Sequence, residues 1–349
     1  MTESSVPMVS VIAPCCNEAR FIENTLNSIL QGNYPADRME LLVVDGMSTD
    51  GTREIVKEIA QKDHRIRLLD NPRKIVPSAI NIGIKAAHGD YIIRIDCHTT
   101  FAPDYISKCV EVLQRTGADV VGGYVTTLAG KNTAVGRAIA AATSNIFGVG
   151  DSKFRLTGPE QEVDTVPFGA YRKALFEKVG LYDERLSRNQ DIELNSRIRK
   201  AGGRIIISPE IKLNYYNRGN YRGLWQQAFN NGLWNPYTIW LVGGGLSLRH
   251  FVPMFFVLGL IVFLIDAFFW SPFKWVFLGY VLLYLSIGSV FAVQCARQAR
   301  VSAFWVLVSF LVLHVAYGLG SLWGVMTIPF KFPRRYEKFV GKPLSDRKT

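Results

Sequence analysis

Residues 39–62, MELLVVDGMSTDGTREIVKEIAQK, carry the pattern that decides the fold. MELLVVD is a short, nearly continuous apolar run ending on Asp45, which reads as a strand buried on both faces. GMSTDGT is rich in turn formers, and REIVKEIAQK then follows with helical spacing. The same strand, turn and helix unit precedes this stretch. MVSVIAP leads into NEARFIENTLNSILQ, where Phe21, Ile22, Leu26, Ile29 and Leu30 share one helical face and Asn17 is the expected cap. It also follows, as IRLLD, a helix after Pro77 carrying Ile80 and Ile84, and the strand YIIRID. Strands separated by amphipathic helices predict an α/β fold, a Rossmann-like, mixed but mostly parallel sheet with helices on both faces.

In such sheets ligands sit beyond the carboxyl ends of the strands, where Asp45 and Asp96 both fall. A dinucleotide site is excluded at the first turn, because APCCNEAR (residues 13–20) has no glycine to admit a pyrophosphate. No P-loop occurs either. Beyond Asp96 the pattern gives a helix from Pro103 to Arg115 stopped by Gly117, and a strand DVVGGYV. Residues 129–162 read as an irregular substrate-facing loop or short helix. A strand, a helix ended by Gly180, a helix from Asp191 to Ala201 stopped by Gly202, and a further strand complete this part.

From about residue 236 the composition turns apolar. Residues 251–270, 275–294 and 303–328 each approach the roughly 20 apolar residues that a bilayer crossing requires. The expected organisation is a catalytic domain over 1–235, a membrane region over 236–330 with two to three crossings, and a basic tail over 331–349. With the first domain in the cytosol, the first segment crosses outward, SPFK turns outside, and the second returns to place Arg297 and Arg300 inside. A third crossing would put the basic tail outside, so the later half of the third segment, with His314, Gly318, Gly320 and Gly324, is expected to be re-entrant or interfacial.

The net charge is +11, but the basic residues are scattered and no recognition helix, zinc-finger spacing or RNA-binding aromatic signature occurs, so nucleic acid is not the expected partner. The dense group Lys331, Arg334, Arg335, Lys338, Lys342, Arg347 and Lys348 points to anionic lipid instead. Five cysteines form no disulfide framework, and the amino terminus lacks the regions of a secretory signal, which together predict a cytoplasm-facing domain on the inner membrane. Adjacent Cys15 and Cys16 lack zinc spacing, so they and Cys97 are expected to pack.

VIAPCCNE, LLVVDGMSTDGT, INIGIKAAHGDYIIRIDCH and RNQDIELNSRIRKAGG, in this order, resemble the pattern of glycosyltransferase family 2 and its GT-A fold over about residues 8–235. NPRKIVPSAINIGI, the Asp-x-His at 96–98 and LHVAYGLGSLWG resemble the succinoglycan-biosynthesis, ExoA-like branch. The resemblance implies transfer of a sugar from a UDP-sugar, with Asp96 and His98 holding Mn²⁺ or Mg²⁺. The imidazole favours Mn²⁺, and alternation along an extended chain lets both side chains point one way. It implies that Asp45 meets the uracil ring, that Pro14, Asn17 and Glu18 complete the base and ribose pocket, and that Lys74 reaches the nucleotide. Where the family has a second acid beside Asp45, this chain has Gly46. Asp50 and Thr52 are expected to cap the following helix.

The family's Glu-Asp pair is Gln190-Asp191 here, which leaves Asp191 as the base of an inverting displacement. Glu193 is the fallback, and Arg197 orients the helix through a local ion pair. RGNYRGLWQQAFNNGLWNPY departs from the Gln-x-x-Arg-Trp signature of processive synthases, which implies one sugar per encounter. Its Tyr221, Trp225, Phe229 and Trp234 fit an interfacial helix, and Arg218 and Gln227 are candidates for diphosphate or acceptor contact. The expected acceptor is a lipid-linked saccharide of an exopolysaccharide or surface-glycan pathway. The competing readings are a polyprenyl-phosphate sugar synthase and a non-catalytic membrane scaffold.

Overall fold

The computed structural model describes residues 6–332. Of the expected basic tail, everything beyond 332 lies outside the described residues. The strands and helices run β1 (Val9–Cys15), α1 (Ile22–Leu30), β2 (Met39–Asp45), α2 (Thr52–Lys62), β3 (Ile66–Asp70), α3 (Val76–Ala86), β4 (Tyr91–Arg94) and β5 (Thr99–Phe101). Next come α4 (Tyr105–Thr116), β6 (Val120–Leu128), α5 (Ala134–Ala142), α6 (Ile146–Val149), β7 (Gln161–Glu162), β8 (Ala170–Arg172), α7 (Leu175–Val179), α8 (Gln190–Lys200) and β9 (Ile205–Tyr216). The chain ends in α9 (Tyr221–Val242), α10 (Val252–Phe269), α11 (Phe273–Ala299) and α12 (Ala303–Lys331). Two compact units result, one from residues 6–126 and 157–215, the other from 127–156 and 216–332.

The first unit is built on a mixed sheet of order β3-β2-β1-β4-β8-β6-β9-β5, with β7 beside β9. β3, β2, β1 and β4 are parallel, whereas β8 runs antiparallel to both β4 and β6, and β9 to both β5 and β7. Every residue of β1 and β2 is buried, as the unbroken apolar runs require of strands covered on both faces. Their register pairs Cys15 with Asp45, so the loops at 16–21 and 46–51 leave the sheet side by side at its carboxyl edge. α1 begins at Ile22. Asn17 is therefore not its cap, and the residues before the helix are held by other means, described below.

In the second unit three helical stretches, Leu248–Phe269, Phe273–Ala299 and Ala303–Lys331, of 22, 27 and 29 residues, are long and apolar enough to cross a membrane. α12 is continuous, about 43 Å at 1.5 Å per residue. The later half, expected to be re-entrant or interfacial, continues the same helix, and its glycines serve as contact surfaces.

α9 packs along α12 in parallel. Tyr221 donates to the Trp305 carbonyl at 2.9 Å, Ser321 donates to the Gly232 carbonyl at 3.1 Å, the Asn235 amide donates to the Tyr317 hydroxyl at 2.8 Å, and the hydroxyls of Tyr237 and Thr327 meet at 2.6 Å. Any β-carbon on Gly320 would overlap the Phe229 backbone carbonyl. Close backbone approach through small residues is how helices associate where the surroundings are as apolar as their side chains. Replacing Gly320 by Leu is expected to destabilise the full-length protein by about 1–3 kcal/mol, read as a lower thermal midpoint in detergent. An unchanged midpoint would count against this packing.

Of the loop or short helix expected of 129–162, residues 127–156 take the helical alternative. They supply α5 and α6, and Ala138 and Ala142 of α5 are buried with Ala292, Cys295 and Ala296 of α11 and with Val306 and Phe310 of α12. Phe147 of α6 stacks on Phe291 at 5.2 Å. Small side chains let the α5 backbone approach the two long helices closely, so the segment's lack of bulk reflects tight packing.

Candidate active site

Two loops meet at the carboxyl edge of β1 and β2, joined by side chains that reach across to backbone. The Asn17 amide donates to the Ser48 hydroxyl at 2.8 Å, Glu18 N–H to the Thr52 hydroxyl at 2.8 Å, and Ala19 N–H to the Asp50 carboxylate at 3.1 Å. In return the Asn17 side-chain carbonyl accepts from Thr49 N–H at 2.9 Å. Asn17 holds a left-handed backbone conformation, φ 58°, in which its short polar side chain is well tolerated. Asp50 and Thr52, expected as helix caps, tie the first loop to the second, while Asp50 also accepts from the N–H of Thr52, the first residue of α2, at 3.1 Å. The residue capping α2 is Gly51, without a side-chain hydrogen bond.

Asp45 lies beneath these loops, fully buried. Its carboxylate accepts from Ser48 N–H at 2.9 Å, the Ser48 hydroxyl at 2.5 Å, Arg53 at 2.7 Å and the Cys15 thiol at 3.6 Å. Burial alone would raise its pKa, but the hydrogen bonds from Ser48 and Arg53 outweigh burial and hold it below the usual carboxylate range. Both oxygens are thus engaged by the protein, and Asp45 fixes the loop that carries Ser48. Gly46 has a steric reason as well. A β-carbon there would come within 3.0 Å of the Cys16 β-carbon, so Cys16 occupies the space that a second acid would need.

Pro14 is the penultimate residue of β1, and its carbonyl accepts weakly from the buried Cys97 thiol at 3.4 Å. Lys74 is exposed, also with positive φ, 58°. All five cysteines are free, and only Cys16 is exposed. Arg218 and Gln227 belong to the second unit, Gln227 on α9.

The stretch after β4 supplies the remaining groups. Thr25 fixes its backbone by donating to the carbonyls of Cys97 at 2.6 Å and Thr99 at 3.0 Å. Asp96 and His98 keep 21% and 26% of their side-chain surface exposed. The His98 ring stands edge-on to Tyr215 at 5.2 Å, with Nδ1 4.0 Å from a Glu18 carboxylate oxygen.

Asp191 opens α8 behind Asn189, which adopts a left-handed conformation. Within the first turn its carboxylate retains 22% exposure and pairs with Arg94. Burial pushes the Asp191 carboxyl above the ordinary aspartate range. The Arg94 charge and hydrogen bond pull the other way without cancelling burial, and the Asp96 charge adds to the rise. Glu193, the fallback, is buried and held by Arg197 at 2.6 and 2.8 Å, while Arg197 also donates to the carbonyls of Val179 and Leu181. Arg197 thus docks α8 onto the turn after α7, and the Asp191 carboxylate faces Arg94.

Arg94 joins the two halves of the cluster. It is 4% exposed, yet one terminal nitrogen donates to Asp191 and the other to Asp96 at 3.2 Å. The sequence expectation did not single it out. Its signal was a lone arginine inside the apolar run YIIRI, since a buried charge has to be paired.

Among the described residues no three or more His, Cys, Asp or Glu side chains are grouped to hold an ion by themselves. A carboxylate and an imidazole, both part-exposed and two residues apart in the chain, suit a divalent ion that takes its other oxygens from a diphosphate and water. The residues therefore fit a metal carried in with a nucleotide.

A mixed sheet with its polar cluster at the carboxyl edge and a helix-borne carboxylate facing it defines a GT-A-like enzyme. The glycosyl transferase family 2 model matches residues 10–180. The succinoglycan biosynthesis protein ExoA of Rhizobium meliloti (strain 1021) is 37% identical over 224 residues, 64% of this chain and 67% of that protein. The Methanococcus voltae dolichyl N-acetyl-alpha-D-glucosaminyl phosphate 3-beta-D-2,3-diacetamido-2,3-dideoxy-beta-D-glucuronosyltransferase is 28% identical, over 64% of this chain and 71% of its own. Among solved structures, the mannosyltransferase PcManGT from Pyrobaculum calidifontis in complex with GDP-Man and Mn²⁺ shares the fold, with TM-score 0.63 and 20% identity, covering 92% of this chain and 88% of that one. The chain belongs to glycosyltransferase family 2 and is a glycosyltransferase.

Proposed function

We propose that this membrane-anchored enzyme moves a single sugar, with inversion, from a UDP-sugar to a lipid-linked saccharide on a polyprenyl diphosphate, in exopolysaccharide or surface-glycan synthesis, with its catalytic unit facing the cytoplasm. One observation supports the reading: a single buried guanidinium, Arg94, holds two carboxylates, Asp96 and Asp191, within its own span. The names of the two relatives supply the pathway and the lipid-linked acceptor.

In this reading Asp191 accepts the proton of the acceptor hydroxyl as that oxygen attacks the anomeric carbon. A carboxylate made more basic by burial is better matched to the task than a solvated one. Asp96 and His98 would hold Mn²⁺ or Mg²⁺, which supplies positive charge to the departing diphosphate. Asn17 and Glu18, fixed by Ser48 and Thr52, present the rim on which the nucleoside rests, with Pro14 beside them. Lys74 adds an exposed positive charge, and Asp45 shapes the rim from below. A polyprenyl-linked acceptor explains the apolar helices, because an enzyme held at the surface meets a membrane-bound substrate at high effective concentration.

The test is nucleotide release in membranes containing this protein, with UDP- and GDP-sugars as donors, and with a lipid-linked saccharide or bare polyprenyl phosphate as acceptor, with and without Mn²⁺. Expected is Mn²⁺-stimulated release of UDP that requires the saccharide-bearing lipid. Release driven equally well by bare polyprenyl phosphate would replace the proposed acceptor, and release of GDP alone would replace the donor.

A further inference from the structure

We propose that Arg94 is a positioning residue for the transfer step, fixing the separation of Asp191 and Asp96 so that proton acceptance and diphosphate departure occur at a set distance. The inference rests on the reading of Asp191 as the base.

The geometry is unusual for a structural arginine. Arg94 sits on β4, in a strand that is otherwise apolar and wholly buried. Its backbone is pinned by donation to the Gly169 carbonyl at 3.1 Å. The guanidinium lies 5.8 Å from the Phe168 ring centroid, and Phe168 itself adopts φ 51°. A bulky residue rarely takes that conformation, and strain of this kind tends to persist where surrounding structure over-determines it at functional sites. The Nε proton of Arg94 is buried without a partner. The side chain therefore forgoes one hydrogen bond while its two terminal nitrogens serve two different carboxylates. A residue recruited only to neutralise one acid would gain more from a two-pronged grip on that acid.

Each carboxylate has its own reason to need fixing. Asp191 is the second residue of α8, just after a left-handed Asn189, and Asp96 lies in the turn beyond β4. Among the described residues neither has another side-chain hydrogen-bond partner, so the rigid fork of Arg94 is their common reference. Lysine offers a point charge on a flexible stem and can satisfy one of them at a time. Displacement of a reacting group by about 1 Å can cost ~10²-fold in rate.

The experiment compares Arg94→Lys, Arg94→Met, Asp191→Asn and the Arg94→Lys/Asp191→Asn double variant in the full-length protein. Its readouts are steady-state UDP release with the donor that the panel above identifies, calorimetric binding of UDP with Mn²⁺, and the thermal midpoint. Arg94→Lys keeps the buried positive charge and so reports even if Arg94→Met does not fold. Expected is a fall in kcat of about 10- to 100-fold, with donor KM and UDP–Mn²⁺ affinity changed by less than about threefold. The double variant should be no slower than Asp191→Asn alone, because residues acting as one unit are not additive. Wild-type kcat in Arg94→Lys, or a further full loss in the double variant, overturns the proposal. If Asp191→Asn itself keeps wild-type turnover, the parent reading fails; if it is inactive while Arg94→Lys is not, only the positioning role fails.

Discussion

Asp191→Asn is expected to lower turnover by about 10³-fold or more, in line with loss of a general base, while UDP–Mn²⁺ affinity stays within about threefold. Asparagine is nearly isosteric and can still accept from Arg94, so α8 should stay docked through Arg197, Val179 and Leu181. What is lost is the capacity to take a proton. The alternative acceptor, a lipid phosphate, is already deprotonated and would need no base. Turnover surviving in Asp191→Asn would therefore select the polyprenyl-phosphate reaction and remove the hydroxyl acceptor. The same residue sets the acid side of the pH profile. Because burial raises the Asp191 pKa, its charge, and with it kcat, disappears as pH falls through a value above the ~3.9 of a free aspartate. The acid limb should thus lie at higher pH than a solvated carboxylate would give, and should vanish from any residual rate of the Asn variant.

The parallel half of the sheet was legible because β1 and β2 are continuous apolar runs ending in polar turns, and burial on both faces leaves such runs no alternative. The start of α1 was not. Asn17 looks like a cap from its neighbours in sequence, but its conformation is set by Ser48 and Thr49, more than 30 residues away, and no local pattern encodes that contact. The second role of Asp50 and Thr52 was hidden for the same reason, since a helix-start acid and a loop clamp have identical local signatures.

α5 and the glycines of α12 show a second limit. Small residues lower apparent hydrophobicity and left loop and short helix undecided for α5, and a simple crossing in doubt for α12, while in the fold they mark where backbones approach most closely. Within the site, Asp96, His98 and Asp191 were nameable from ordered motifs, whereas Arg94 stood in plain view as the one charge in a buried strand. Its meaning depends on α8, which the chain reaches almost a hundred residues later.

Asp96→Ala is expected to abolish detectable transfer and to weaken Mn²⁺-dependent UDP binding by ~10²-fold or more, since a divalent ion contributes several kcal/mol at a developing phosphate charge and each 1.4 kcal/mol is a factor of ten. Calorimetry with UDP, with and without Mn²⁺, separates this from misfolding. UDP binding measured without the ion should change little, because the rim residues Asn17 and Glu18 are held by Ser48, Thr49 and Thr52. His98→Ala tests the other donor. Asp96 remains, so binding should weaken less, but loss of an imidazole should shrink the preference for Mn²⁺ over Mg²⁺, since Mg²⁺ is the more exclusively oxygen-seeking of the two. An unchanged ratio would place His98 outside the coordination sphere, leaving it as a packing partner of Tyr215 and reducing the protein's share of the ion to one carboxylate. Mn²⁺-independent binding in wild type, with Asp96→Ala still inactive, would instead assign Asp96 to holding Arg94 and through it Asp191.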